Sequence, residues 1–169
     1  MEFRKTKPAD VERVMELIDG AKLYFRQHNV PQWQDGYPNE VTIRGDIAAG
    51  QSYVLCTDTG RIAGTMALQL GGEPTYDKII GGAWLTEGPY AVVHRIAVDG
   101  QLKQRGYASE LLRESERIAQ TSGAVSVRVD THEINMPMQR LLKKNGYQFC
   151  GTIHLADGVP RFAFEKAFE

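Results

Sequence analysis

Apolar positions recur along this chain in two rhythms, every second residue and every third or fourth, and the changes of rhythm mark its elements. Residues 2–6 alternate as a short strand. Pro8 and Asp10 then stand at a helix start, and Val11, Val14, Met15, Ile18, Ala21 and Phe25 follow at helical spacing. Residues 29–39 carry two prolines with Trp33, Gln34, Asp35 and Gly36 and read as a loop before a weaker helix over 40–49. Residues 51–56 and 61–70 are strand-like, and the Thr-Asp-Thr-Gly between them suits a hairpin turn.

Residues 71–89 have no periodicity and are rich in glycine and proline, so they form an irregular excursion placed to shape a pocket. Beyond it the strongly apolar 91–98 is a strand. Ala108, Leu111, Leu112, Ser115, Ile118 and Ala119 lie on one face of a helix opened by Gly106 and closed by Gly123. A strand over 125–129, a helix over 135–144 ended by Asn145 and Gly146, and closing strands over 147–155 and 161–168 complete the chain. This order describes an α/β (α+β) chain with a mixed sheet and helices on its faces. There is no internal repeat or low-complexity segment.

The 169 residues suffice for one well-buried core, so a single domain over 1–169 is expected. Twenty Lys and Arg against 21 Asp and Glu leave a net charge of -1, which argues against a protein built to neutralise a nucleic-acid backbone. Cys56 and Cys150 have no disulfide, redox or zinc spacing and read as buried thiols. The start of the chain lacks the apolar core of a signal peptide and no stretch is long enough to span a bilayer, so a cytoplasmic protein is expected. His132-Glu133 begins like a zinc-protease helix, but Met136 stands where the second histidine belongs, so no metal is expected.

The most informative stretch is 98–108, where an apolar strand enters a basic, glycine-bearing loop that opens a helix. First-turn amides without intrahelical partners, together with the helix dipole, suit a phosphate or pyrophosphate. Lys103 and Arg105 add charge, and Gly106 admits close backbone approach. Neither a dinucleotide-binding glycine fingerprint nor a P-loop is present.

Lys103-Gln104-Arg105-Gly106-Tyr107-Ala108, after the strand His94-Arg95-Ile96-Ala97-Val98, resembles motif A of the GNAT superfamily of acyl-CoA N-acyltransferases. Asn135 to Tyr147 resembles that family's motif B. The resemblance implies a mostly antiparallel sheet splayed between its fourth and fifth strands, with helices on both faces. It implies that the backbone of Ile96, Ala97 and Val98 pairs with the pantetheine arm of acetyl-CoA, a co-substrate, and that the amides from Gln104 through Ser109 hold its pyrophosphate. Asn135 would meet the pantetheine region or an ordered water, or simply cap its helix. Lys144 would approach the nucleotide phosphates, or serve as a helix-terminal charge.

Two positions bear on mechanism. Where many members of the family carry a tyrosine that protonates the departing thiolate, this chain has Leu142. His94, beside the pantetheine-pairing residues, is the candidate base for the acceptor amine, or a strand histidine bonded to a neighbour, while Arg95 is placed on the opposite face. Asp130 either attracts a cationic amine or caps the turn after its strand, and His132 lies beside it. Trp33, Tyr37, Trp84 and Tyr90 either wall an acceptor pocket or pack.

The expected activity is acetyl transfer from acetyl-CoA to a primary amine by direct attack in a ternary complex. The alternatives are an acyl-CoA-binding sensor or interaction module without turnover, and a plain phosphate-binding domain. Expected partners are acetyl-CoA and an amine acceptor, a small molecule before a protein. Neither nucleic acid nor membrane is expected, and a homodimer stays open.

Overall fold

The computed structural model describes residues 1–169. The strands are β1 (Glu2–Lys5), β2 (Ser52–Cys56), β3 (Ile62–Leu70), β4 (Tyr90–Val98), β5 (Ser126–Thr131), β6 (Gln148–His154) and β7 (Pro160–Ala167). The helices are α1 (Val11–Gln27), α2 (Glu40–Ala48), α3 (Tyr107–Thr121) and α4 (Met136–Lys144). The fold is mixed α/β, with helices on both faces of a seven-stranded sheet ordered β1-β2-β3-β4-β5-β7-β6. Pairing is antiparallel for β1–β2, β2–β3, β5–β7 and β6–β7, and parallel for β4–β5.

The β4–β5 register covers only Tyr90–Val92 against Ser126–Arg128, whereas β5 pairs with β7 along its whole length to Thr131. The β4–β5 ladder therefore stops at Val92. Each element predicted from the pattern is present with ends moved by one or two residues. The excursion over 71–89 also holds a short 3-10 turn, Pro74–Tyr76, and a single bridge from Ile80 to Thr152.

The chain divides into two units. The first comprises Met1–Leu68 and Arg95–Leu111. Its core joins Val14, Leu17 and Ile18 of α1 and Ile43 of α2 to Val54, Cys56, Ile62 and Ala97 on the strands. Asn39 caps α2, its side chain accepting from the Thr42 amide at 3.1 Å, which explains how so weakly amphipathic a segment holds a defined start.

The second unit comprises Gln69–His94 and Leu112–Glu169. Neighbouring residues of β7 point to opposite faces. Glu165 meets the excursion, accepting from the Leu85 amide at 2.5 Å and the Thr86 hydroxyl at 2.5 Å. Lys166 donates instead to Glu116 of α3 at 2.8 Å. The excursion thus covers one face of β5–β7 and α3 the other. Gly82 is indispensable to that cover, because a Cβ there would fall 1.9 Å from the Cys150 carbonyl oxygen. No helix is long and apolar enough to cross a membrane.

Candidate functional site

In the first unit, β4 runs from Arg95 into the anion loop. Arg95 has φ 52, so the strand bulges there and strict alternation ends. Its Nε and Nη2 donate to both carboxylate oxygens of Asp46, each at 2.7 Å, and its Nη1 donates to the Tyr37 hydroxyl at 2.7 Å. Ile96 and Val98 are partly exposed, while Ala97 is buried in the core.

Asp99 ties the end of β4 down. Its Oδ1 accepts from the Gln101 amide at 2.9 Å, and Oδ2 takes Arg61 at 2.5 Å and also Arg13. The chain then turns left-handed twice, at Gln104 (φ 65) and Gly106 (φ 83). Gly106 precedes α3 and has no side chain to accept from its first-turn amides. A Cβ at Gly106 would meet nothing within 4 Å, so the space beside this residue is open. Lys103, Gln104, Arg105 and Gly106 are exposed, and Tyr107, Ala108 and Ser109 are partly so. The Lys103 ammonium sits 4.0 Å from the Tyr24 ring centroid, a contact that the loop sequence does not disclose. Trp33 packs edge-on against Phe25.

In the second unit, His94 Nε2 lies 3.6 Å from Oε2 of Glu73. Glu73 precedes the Pro74–Tyr76 turn, in an excursion whose sequence carries no periodic signal that would mark it. Its other oxygen, Oε1, accepts from the Thr75 amide at 3.3 Å and the Thr75 hydroxyl at 3.1 Å. The Tyr90 hydroxyl receives the Glu73 amide at 3.0 Å. The Glu73 carboxyl is held at about 2, below its ordinary 4.5, chiefly by the His94 side chain and further by the Thr75 donors.

Asp130 does not cap a turn, which corrects that alternative: it accepts the Tyr76 hydroxyl at 2.6 Å. Burial raises its pKa against the opposing pull of that O–H. Tyr76 is wholly buried, and its hydroxyl is pushed upward by burial and by the Asp130 charge. Trp84 donates its indole N–H to the Tyr76 carbonyl at 2.9 Å. Both Trp84 and Tyr90 stack on the Arg128 guanidinium, at 4.3 Å and 3.8 Å from the ring centroids. These two aromatics are bound into packing and hydrogen bonds. His132 accepts the Ile134 amide at Nδ1 at 3.2 Å, and burial together with Arg161 lowers its pKa.

Asn135 caps α4, its Oδ1 accepting from the Met138 amide at 3.3 Å. Lys144 is exposed in the last turn, and Leu142 is fully buried, so that position faces the core. No group of three or more His, Cys, Asp or Glu side chains is placed to hold a metal ion.

The model of the Acetyltransferase (GNAT) family matches residues 15–147. A GNAT-family acetyltransferase from Streptococcus agalactiae 2603 is 36% identical, with a TM-score of 0.90 over 99% of this chain and 95% of that one. One from Listeria monocytogenes 4b F2365 is 18% identical, with a TM-score of 0.75 over 99% and 94%. The PaiA N-acetyltransferase of Thermoplasma acidophilum, solved in complex with coenzyme A, is 17% identical, with a TM-score of 0.71 over 99% and 98%. Among curated proteins none matches. With a bulged β4 that leads into a left-handed, glycine-opened helix start, and with this match over most of its length, the chain belongs to the GNAT family of acetyltransferases.

Proposed function

We propose that the protein is an N-acetyltransferase that moves an acetyl group from acetyl-CoA to a primary amine in a ternary complex. The observation that carries this reading is the exposed, left-handed loop at Gln104 and Gly106 that opens α3, with open space beside Gly106, since a helix start of this kind suits an anion. It suits a diphosphate better than a side-chain cage does, because backbone donors are fixed in advance and approach closely. The coenzyme A in the distantly similar PaiA structure supports the same donor.

Acetyl-CoA supplies the acetyl group as a thioester. The amides of Ile96 and Val98, on partly exposed positions of β4, offer the pantetheine arm a strand to pair with. A free alkylamine is mostly protonated at neutral pH and must lose a proton to act as a nucleophile. His94 takes that proton. Asp130 attracts the cationic form of the amine. Leu142 donates nothing to the departing thiolate, which leaves without a dedicated acid or takes a proton from water.

Release of coenzyme A, followed by thiol titration over a panel of small primary amines, tests the reading: amine-dependent release supports it. Leu142 also favours a second reading, an acyl-CoA sensor without turnover. Calorimetric binding of acetyl-CoA with no release for any amine would establish that one. Competition by adenosine diphosphate as strong as that by coenzyme A would favour a plain phosphate site.

A further inference from the structure

The excursion over 71–89 brings a carboxylate to His94, and it does so with both carboxylate oxygens committed. Glu73 Oε1 is fixed by the amide and hydroxyl of Thr75, so Oε2 is the oxygen that faces His94 Nε2 at 3.6 Å. That separation is an ion-pair distance rather than a hydrogen bond. The Glu73 amide is anchored on Tyr90, a residue of the same strand as His94, so carboxylate and imidazole are registered through one element. His94 and Glu73 side chains are both about one-fifth exposed, at 19% and 20%, which leaves their attraction only weakly screened.

Asp130 is a second carboxyl coupled to His94. Asp130, on β5, feels the His94 charge but already receives the Tyr76 hydroxyl, and it also feels Arg161 and Glu73. Tyr90 is engaged with the Glu73 backbone. The Glu73 carboxyl is pushed downward, so it stays anionic beside the ring.

We propose that Glu73 is a positioning residue for His94, holding the ring with Nε2–H toward Oε2 and matching the charge that forms when Nδ1 accepts the amine proton. This rests on the reading of His94 as the base. In that sequence the ammonium proton passes to Nδ1, the freed amine nitrogen bonds to the acetyl carbon, the carbon–sulfur bond breaks with its electron pair on sulfur, and the second proton leaving nitrogen passes through water to that thiolate. The positive charge on the ring then lies beside the anionic Glu73, so the carboxylate favours the imidazolium without touching the substrate.

The test uses the full chain as Glu73→Gln, Glu73→Asp and His94→Gln, each checked for folding by circular dichroism. Glu73→Gln is expected to lower kcat about tenfold, to move the acidic limb of the kcat/KM profile to lower pH, and to leave the KM for acetyl-CoA unchanged. Glu73→Asp should recover part of the loss. Carbon-13 NMR of the Glu73 carboxyl provides a readout independent of turnover: its titration at about 2 should rise toward 4.5 in His94→Gln. An unmoved Glu73 titration, or a Glu73→Gln profile identical to the parent while His94→Gln alters it, would overturn the role of Glu73 alone. Profiles unchanged in both variants would overturn the reading of His94 as the base, and the role of Glu73 with it.

Discussion

Arg95 and Asp46 form a bidentate pair, two N–H···O bonds of 2.7 Å, at the residue where β4 bulges with φ 52. A non-glycine residue in that region carries strain that its surroundings must offset, and the doubly bonded, largely buried guanidinium does so. Asp46→Asn puts an amide N–H against the guanidinium and leaves that cation underpaired. Urea unfolding should show a loss of about 2 kcal/mol. A loss within error of zero would mean that the bulge holds without the pair.

Gly106→Val places a branched side chain in the open space just before α3 and forces a β-branched residue to φ 83. Calorimetry should show acetyl-CoA affinity weakened by about tenfold or more. Lys103→Ala should weaken it less, since the Lys103 ammonium already lies over Tyr24. Equal losses in the two variants would contradict a cradle made of backbone.

Gly82→Ala tests how the excursion is held. Its Cβ would overlap the Cys150 carbonyl, and backbone on both sides leaves no flexible side chain to yield. The melting temperature should fall by an amount equivalent to about 3 kcal/mol. An unchanged melting temperature would mean that the excursion shifts freely over β6.

Stability should also depend on acid. Glu73 is held at about 2 against an ordinary 4.5, and the Arg4 side chain with the Lys7 amide lowers Asp10. A carboxyl depressed in the folded state binds its proton more readily when unfolded, so its contribution is complete above the ordinary value and is lost as pH falls toward the folded one. Unfolding free energy should therefore decline from about pH 4.5 to about pH 2. His94→Gln, by releasing Glu73, should flatten part of that decline. A decline of the same depth in the variant would place the acid sensitivity elsewhere.

The strand and helix order was legible because Val14, Ile18, Leu111 and Leu142 are spaced by the period of the surface they bury. The Asn135 cap and the loop around Gly106 were legible for a related reason, since local backbone geometry selects those residue types. Glu73 was not. It lies in an aperiodic segment, and its approach to His94 depends on Thr75, Tyr90 and the fit of Gly82 against Cys150, contacts distant in sequence. The Arg95 bulge was hidden because Tyr90 to Val98 reads as an unbroken strand, and nothing local marks Asp46 as its partner. Asp130 looked like a turn residue by type, and only burial against Tyr76 gives it another environment.

The most direct measurement is coenzyme A release by the full-length chain, followed with a thiol reagent at saturating acetyl-CoA over a panel of primary amines. Mass spectrometry of the amine accompanies it. The expected result is amine-dependent release matched one for one by N-acetylated product. Binding of acetyl-CoA without release for any amine in the panel would contradict catalysis and leave a protein that senses the donor.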